Sequence, residues 1–250
     1  MSGAPACPVV DRVGRTAARF PHHTAVVTAT EQLDYAGLWR RVLLWRLRCA
    51  NLGLPPGTLV AVHTSGAALP AAFLGVRAAG LVPVLLDATQ PAARIASVVA
   101  TARPAAVLRS DHAAELTGEP DPRRLPTAAG YVVFSSGTQG RPKGIVGQAA
   151  GLLHFIDWEI GELGITPGTR VAMLTSPSFD VVYRDLLLPL CAGGELHIAE
   201  SGVRAAPAAV LPWLAEHDIE VLHAVPSLSA RWLDGVAAPV NSLRYTLFAG

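Results

Sequence analysis

Lysine is nearly absent from this chain: Lys143 is the one lysine among 20 lysines and arginines. Cysteine is scarce too. Cys7, Cys49 and Cys191 are odd in number and form no CxxC pair, which excludes a zinc ribbon and a disulfide framework and points to a reducing compartment. Charge is low, at 16% of residues with a net +1, so no strong field draws nucleic acid or an anionic membrane. Long uninterrupted apolar runs are missing. The stretch from Leu59 to Leu86 is broken by His63, Pro70, Arg77 and Pro83, which argues against a membrane span. Met1 to Val10 lacks a basic start followed by an apolar run, so no secretory signal is read there. The expectation is a cytoplasmic protein with neither nucleic-acid nor membrane partners. No metal site is expected, since His22 and His23 have no neighbouring ligands in sequence.

What is present is a 51% hydrophobic chain of 250 residues, enough to bury one large domain or two small ones. Its many small apolar residues suit helices packed closely on sheets. Strands are expected at Thr24–Thr28, Gln32–Tyr35, Thr58–Val62, Val82–Leu86 and Ala105–Leu108. Helices are expected at Ala36–Leu52, Ala67–Ala79 and Pro91–Thr101, the first two closed by Gly53 and Gly80. This alternation is the pattern of a mostly parallel sheet covered by helices, an α/β fold. Residues 111–128 read as a polar surface loop. Beyond them come a strand at Tyr131–Phe134, renewed β character at Ile145 and Val146, a helix at Gln148–Glu162, and strands at Val171–Leu174, Leu196–Ile198, Val221–Ala224 and Tyr245–Phe248. The five tryptophans, Trp39, Trp45, Trp158, Trp213 and Trp232, lie on helical stretches and are expected in cores, as is Cys191.

The chemistry is concentrated in Ser135-Ser136-Gly137-Thr138-Gln139-Gly140-Arg141-Pro142-Lys143-Gly144. Glycines allow the backbone to approach an anion and turn its N–H groups toward it. Hydroxyls add donors, and Lys143 adds a compact charge. A polyphosphate fits this set. A Walker A loop does not, because Lys143 follows Pro142 and precedes Gly144. No GxGxxG opens a helix, so a dinucleotide fold is excluded as well. A plain Gly/Ser surface turn is the alternative reading.

The run Tyr131 to Gly144 resembles the phosphate-binding signature of the adenylate-forming superfamily, with Gln139 where Thr is usual. Leu33-Asp34-Tyr35, Ala78-Ala79-Gly80 with Leu86-Asp87, Phe179-Asp180, Val225-Pro226-Ser227 and Leu247-Phe248-Ala249-Gly250 are similar to further motifs of its amino-acid-activating branch, in order. The resemblance implies a partial large N-terminal subdomain over residues 1–250, with layered helices on mostly parallel sheets. The implied function is ATP-dependent activation of an amino acid in nonribosomal peptide (antibiotic-type) biosynthesis. Implied partners are ATP, Mg2+ with ligands outside this chain, the amino acid and a phosphopantetheine-bearing carrier protein, with a small helper protein as an optional addition. Ser135, Ser136, Gly137, Thr138, Gln139, Gly140 and Lys143 are implied to hold ATP phosphates, Thr138 and Lys143 being the catalytic pair. The chain alone is expected not to complete adenylation. Two other readings stand beside this one: an acyl- or aryl-CoA ligase, and a degenerate adenylation domain kept as a structural or docking module.

By the same resemblance Asp180 pairs with the substrate's α-ammonium, and Val181, Arg184, His223, Leu247 and Ala249 line the side-chain pocket. Each polar member has an ordinary alternative. Asp180 suits an N-cap for a helix starting near Val182. Arg184 suits a substrate carboxylate, or equally an ion pair with Asp185 or Glu195. His223 suits a polar substrate group or a satisfied core position.

Overall fold

A computed structural model describes residues 7–109, 114–117, 121, 124–126, 128–136, 142–234 and 239–248. In chain order the elements are α1 (Pro8–Arg19), β1 (Thr24–Val27), β2 (Gln32–Asp34), α2 (Tyr35–Asn51), β3 (Leu59–His63), α3 (Ala68–Ala78), β4 (Val82–Leu85), α4 (Ala92–Ala102), β5 (Ala106–Arg109) and β6 (Ala114–Leu116). They continue with β7 (Ala129–Ser136), β8 (Pro142–Gln148), α5 (Ala149–Leu163), β9 (Arg170–Met173), α6 (Val182–Ala192), β10 (Glu195–Ile198), α7 (Ser201–Ala205), α8 (Pro207–Glu216), β11 (Val221–Ala224), α9 (Pro226–Trp232) and β12 (Tyr245–Phe248).

The strands form two six-stranded sheets, ordered β12-β11-β9-β10-β1-β2 and β6-β5-β3-β4-β7-β8. Pairing is parallel except at β1–β2, β5–β6 and β7–β8. Side chains alternate across each strand, and both faces of both sheets are covered. In β3, Val60 and Val62 face the main core while Ala61 faces outward onto Val98 of α4. In β9, Val171 and Met173 face the main core while Ala172 faces Val210 and Leu214 of α8. The result is five layers: α4, a sheet, a central helical layer, a sheet, and α8 with α9. The central layer explains the apolar runs. In α3 every residue from Leu69 to Arg77 is buried, and α6 is buried nearly throughout. A helix enclosed between two sheets is buried all round and reads as apolar throughout.

Two contacts show why particular residues are required here. A Cβ on Gly75 of α3 would collide with Trp45 of α2, so the close crossing of these helices depends on glycine. Tyr35 is fully buried, and its hydroxyl donates to the carbonyl of Gly194 at 2.7 Å, tying the start of α2 to the turn after α6. All three cysteines are buried and free. Burial pushes the Cys191 thiol up to about 12, which suits a core residue and not a nucleophile.

Several expectations are corrected. Helix α1 was not read from sequence. Its signals are Pro8 in the first turn and an apolar stripe of Val9, Val10, Val13 and Ala17. Within the stretch read as loop, Ala114–Leu116 forms the edge strand β6, paired with β5. Trp158 is not in a core: it is 52% exposed and lies against Phe155 with ring centroids 5.5 Å apart. Trp45 and Trp232 are buried as expected. Among the described residues, no helix is long and apolar enough to cross a membrane.

Candidate active site

The Gly-rich segment closes a β-hairpin. The β7–β8 ladder runs up to Ser135↔Lys143 and Ser136↔Pro142, leaving five residues to turn the chain. Of the expected phosphate contacts, Gly137, Thr138, Gln139 and Gly140 lie outside the described residues, as does Arg141. Ser135 and Ser136 form the last two rungs of β7. Lys143 is exposed at the base of the turn. At the far end of the hairpin, Gly147 makes room for the ring of Tyr131, which a Cβ there would strike.

Tyr131 leads to the second group of expected residues. Its ring lies 3.9 Å, centroid to centroid, from that of Tyr183, which is fully buried on α6. The Tyr183 hydroxyl donates to the carbonyl of Val132 at 3.4 Å, linking α6 to the hairpin. Burial, then the negative charge of Asp180, push the Tyr131 hydroxyl up, while Arg184 opposes them. Tyr131, Asp180 and Arg184 therefore share one electrostatic neighbourhood.

Asp180 is exposed and does not cap α6. The cap position is Val181, which makes no side-chain cap bond, and the first amides of the helix reach the carbonyls of Phe179 and Asp180 instead. The Asp180 carboxylate is thus not spent on the helix. Arg184 lies over the ring of Phe155 at 5.4 Å, and among the described residues it has no carboxylate within 4 Å. The alternative pairings fail because Asp185 and Glu195 face His223 and His197. Val181 and Leu247 are half-buried, and Ala249 lies outside the described residues.

His223 is enclosed. Its Nδ1 is 2.8 Å from Asp185 Oδ1 and its Nε2 is 2.9 Å from Glu159 Oε1, with all three side chains at 0% exposure. Burial alone would lower the pKa of the imidazole, but the two carboxylates outweigh it and raise it to about 9. His223 is therefore an imidazolium with both N–H groups donated. Burial raises the Asp185 carboxyl, opposed by His223 and by the Thr175 hydroxyl. Glu159 was missed at the level of sequence, although a signal exists. Ile156, Glu159 and Leu163 share the buried face of α5, so a carboxylate stands where helical periodicity calls for an apolar residue.

Asp87, part of a family-like motif but given no site role at the level of sequence, lies just past β4 and is 3% exposed. Its carboxylate accepts from Ser176 Oγ at 2.5 Å and from the N–H and hydroxyl of Thr89 at 2.9 and 2.7 Å, with Arg204 at 3.8 Å. Burial raises its pKa, but these donors prevail and hold it below the ordinary value. The bond to Ser176 pins the segment that leads to Asp180. A cavity of about 1020 Å³ adjoins Asp87 at the C-terminal ends of β1, β3 and β10, lined also by Arg48, Thr64 and Arg204. Neither Lys143 nor Asp180 lines it. The cavity and the expected site are distinct features.

The model of the family described as "AMP-binding enzyme" matches residues 13–129 and 110–250. The chain belongs to that family. Among curated relatives, the phenyloxazoline synthase MbtB of Mycobacterium sp. (strain MCS) is 32% identical over 238 residues, covering 88% of this chain and 20% of the relative. The delta-poly-L-ornithine synthetase of Acinetobacter baumannii (strain AB307-0294) is 29% identical over 248 residues, covering 91% of this chain and 19% of the relative. The chain thus spans about a fifth of these curated relatives. Among solved structures, the AMPPNP-bound form of the nonribosomal peptide synthetase FmoA3 superposes with a TM-score of 0.84 at 24% identity, covering 100% of this chain and 29% of that one. The N-terminal subdomain of Klebsiella oxytoca NpsA superposes with a TM-score of 0.75 at 19% identity, covering 88% and 62%. The five-layer fold is that of the N-terminal subdomain of adenylate-forming enzymes.

Proposed function

We propose that this chain supplies the phosphate-holding hairpin and the amino-acid-recognising wall of a unit that activates an amino acid with ATP. The substrate carboxylate attacks the α-phosphorus, a new P–O bond forms, and pyrophosphate leaves with the electron pair of the broken bond. The carrier-protein thiol then gives up its proton and attacks the aminoacyl carbonyl, a C–S bond forms, and AMP leaves with the electron pair of the broken C–O bond. Such chemistry depends mainly on positioning and on stabilising charge.

The observation that carries this reading is the pairing of an uncommitted Asp180 carboxylate with the phosphate-type hairpin through one helix. Asp180 precedes α6 and caps nothing, and α6 is bonded to β7 by Tyr183. An ammonium at Asp180 and a phosphate near Lys143 would each meet an opposite charge. Lys143 and the hydroxyl-rich turn suit ATP phosphates. Magnesium would take its ligands from residues outside this chain, as the family resemblance implies.

The test is amino-acid-dependent ATP–pyrophosphate exchange, on the longest natural polypeptide containing this segment, across a panel of amino acids. Exchange with one or a few is the expected result. No exchange from a folded sample would move the reading to a non-catalytic module. Exchange with fatty or aryl acids alone would make it a different ligase.

A further inference from the structure

Three ionisable side chains with no exposure, from three separate elements, meet at His223, and the expected chemistry uses neither carboxylate. Glu159 comes from α5, Asp185 from α6 and His223 from β11. Burying such groups is costly unless each charge is paired and hydrogen-bonded. A cluster of this kind is able to fix a geometry that apolar packing leaves free. Apolar contacts allow a helix to rotate or slide slightly, whereas a charged hydrogen bond at 2.8 Å fixes both.

The helix so fixed is α6. Asp185 follows Arg184 directly and lies little more than one turn beyond Asp180. The Asp185–His223 bond therefore sets the rotation of α6 relative to β11. Leu247 is the register partner of His223 on the neighbouring strand, so the same bond sets the distance from α6 to the β12 side. Glu159 closes the remaining freedom: it occupies Nε2, so the ring can neither flip nor turn away from Asp185. The phosphate-type hairpin shares the Tyr183 bond with α6 but has a second anchor that the cluster does not touch, the β4–β7 pairing of the other sheet. Loosening the cluster would thus disturb Asp180 and Arg184 more than the hairpin, which the β4–β7 pairing still holds.

We infer that Glu159 is a positioning residue for amino-acid binding, which locks His223 onto Asp185 and thereby holds α6 with Asp180 and Arg184 in register against β11. This rests on the adenylation reading. It assigns Glu159 no contact with substrate. It also makes His223 a strut behind the pocket wall, since both of its nitrogens are already used.

The test is Glu159→Gln in the longest natural polypeptide, with Glu159→Asp as a second variant should the first not fold. Pyrophosphate exchange is measured with the amino acid varied at saturating ATP, and then the reverse, beside a thermal melt. The expected result is a KM for the amino acid raised about tenfold, with the KM for ATP changed less than twofold. Glu159→Asp, which keeps the charge, should recover part of the loss. A purely structural role would instead lower Tm and kcat with no selective change in the amino-acid KM, and would overturn the inference. An unchanged amino-acid KM in a folded Glu159→Gln variant would also overturn it while leaving the adenylation reading intact. Absence of exchange in the unsubstituted polypeptide would remove the adenylation reading itself, and is distinguishable for that reason.

Discussion

The β7–β8 hairpin and the His223 cluster both bear on α6, but they are built in opposite ways. The hairpin is local in sequence, and its Gly-rich segment holds glycines, hydroxyls and the cations Arg141 and Lys143. Its Lys143 meets solvent. The cluster is assembled from residues 159, 185 and 223 and is closed to solvent. Under the proposed function a group that reaches a polyphosphate has to stay available, and Lys143 is exposed although β7 packs Ala129 and Val132 into the core. A group that holds helices in register has to be fully committed. The contrast teaches that a charged residue near a binding site acts on ligand where its partners are absent, and acts on the fold where they are present.

Substitutions should separate the two regions. The largest effect on stability is expected from His223→Ala. It leaves Glu159 and Asp185 as buried carboxyl groups without their cation, and a loss of about 3–5 kcal/mol follows from breaking a buried charged partnership. Urea or thermal unfolding would measure it, and a loss under 1 kcal/mol would mean that the cluster is not coupled to the fold. Lys143→Ala should lower exchange activity about 100-fold or more, the scale for removing one donor to developing charge. Its unfolding midpoint should scarcely change, because the side chain is exposed. Asp180→Asn should raise the KM for the amino acid roughly tenfold with little effect on ATP, and its stability should stay within about 0.5 kcal/mol, as for an exposed position. Equal effects of Lys143→Ala and His223→Ala on stability would break the comparison.

The pH dependence is subtler. The folded-state pKa of His223 is raised to about 9 from 6.5, with Glu159 and Asp185 as the facing groups. Below the unfolded value both states carry the proton, and the stabilisation is complete. As pH rises from 6.5 through about 9 the unfolded chain loses its proton first, so stability declines over that window. Asp185, raised above 3.8 by burial, has the same sign from its ordinary value upward. A pH series of unfolding midpoints should show the decline, and a His223→Asn chain should lack the part between 6.5 and about 9. The smallest effect is expected from Trp158→Ala, which removes an exposed ring and should cost under about 1 kcal/mol.

Much of this was legible from residue order because the relevant physics is local. A Gly-rich run between β-type stretches marks a connection between two strands, and the helix and strand boundaries fell within a few residues of those observed. Helix α1 was lost because its apolar stripe of four residues is short and begins close to the N-terminus. The strand β6 was lost because an edge strand of three residues carries too little periodicity to register. Trp158 faces outward because it lies off the helix face that buries Ile156, Glu159 and Leu163.

By itself the sequence determined the α/β class, the family motifs in their order, the placement of the Gly-rich turn before a lone lysine, and Asp180 beside the start of a helix. These depend on neighbours within a few positions, or on periods of two and about four. Only the tertiary structure decided that there are two sheets with a shared helical layer, that Asp180 is not spent as a cap, that Arg184 rests on Phe155, and that His223 is clamped between Glu159 and Asp185. Those outcomes depend on which residues far apart in the chain become neighbours, and on whether water is excluded where they meet. Burial decides whether a carboxylate serves a ligand or the fold, and burial belongs to the packed layers as a whole.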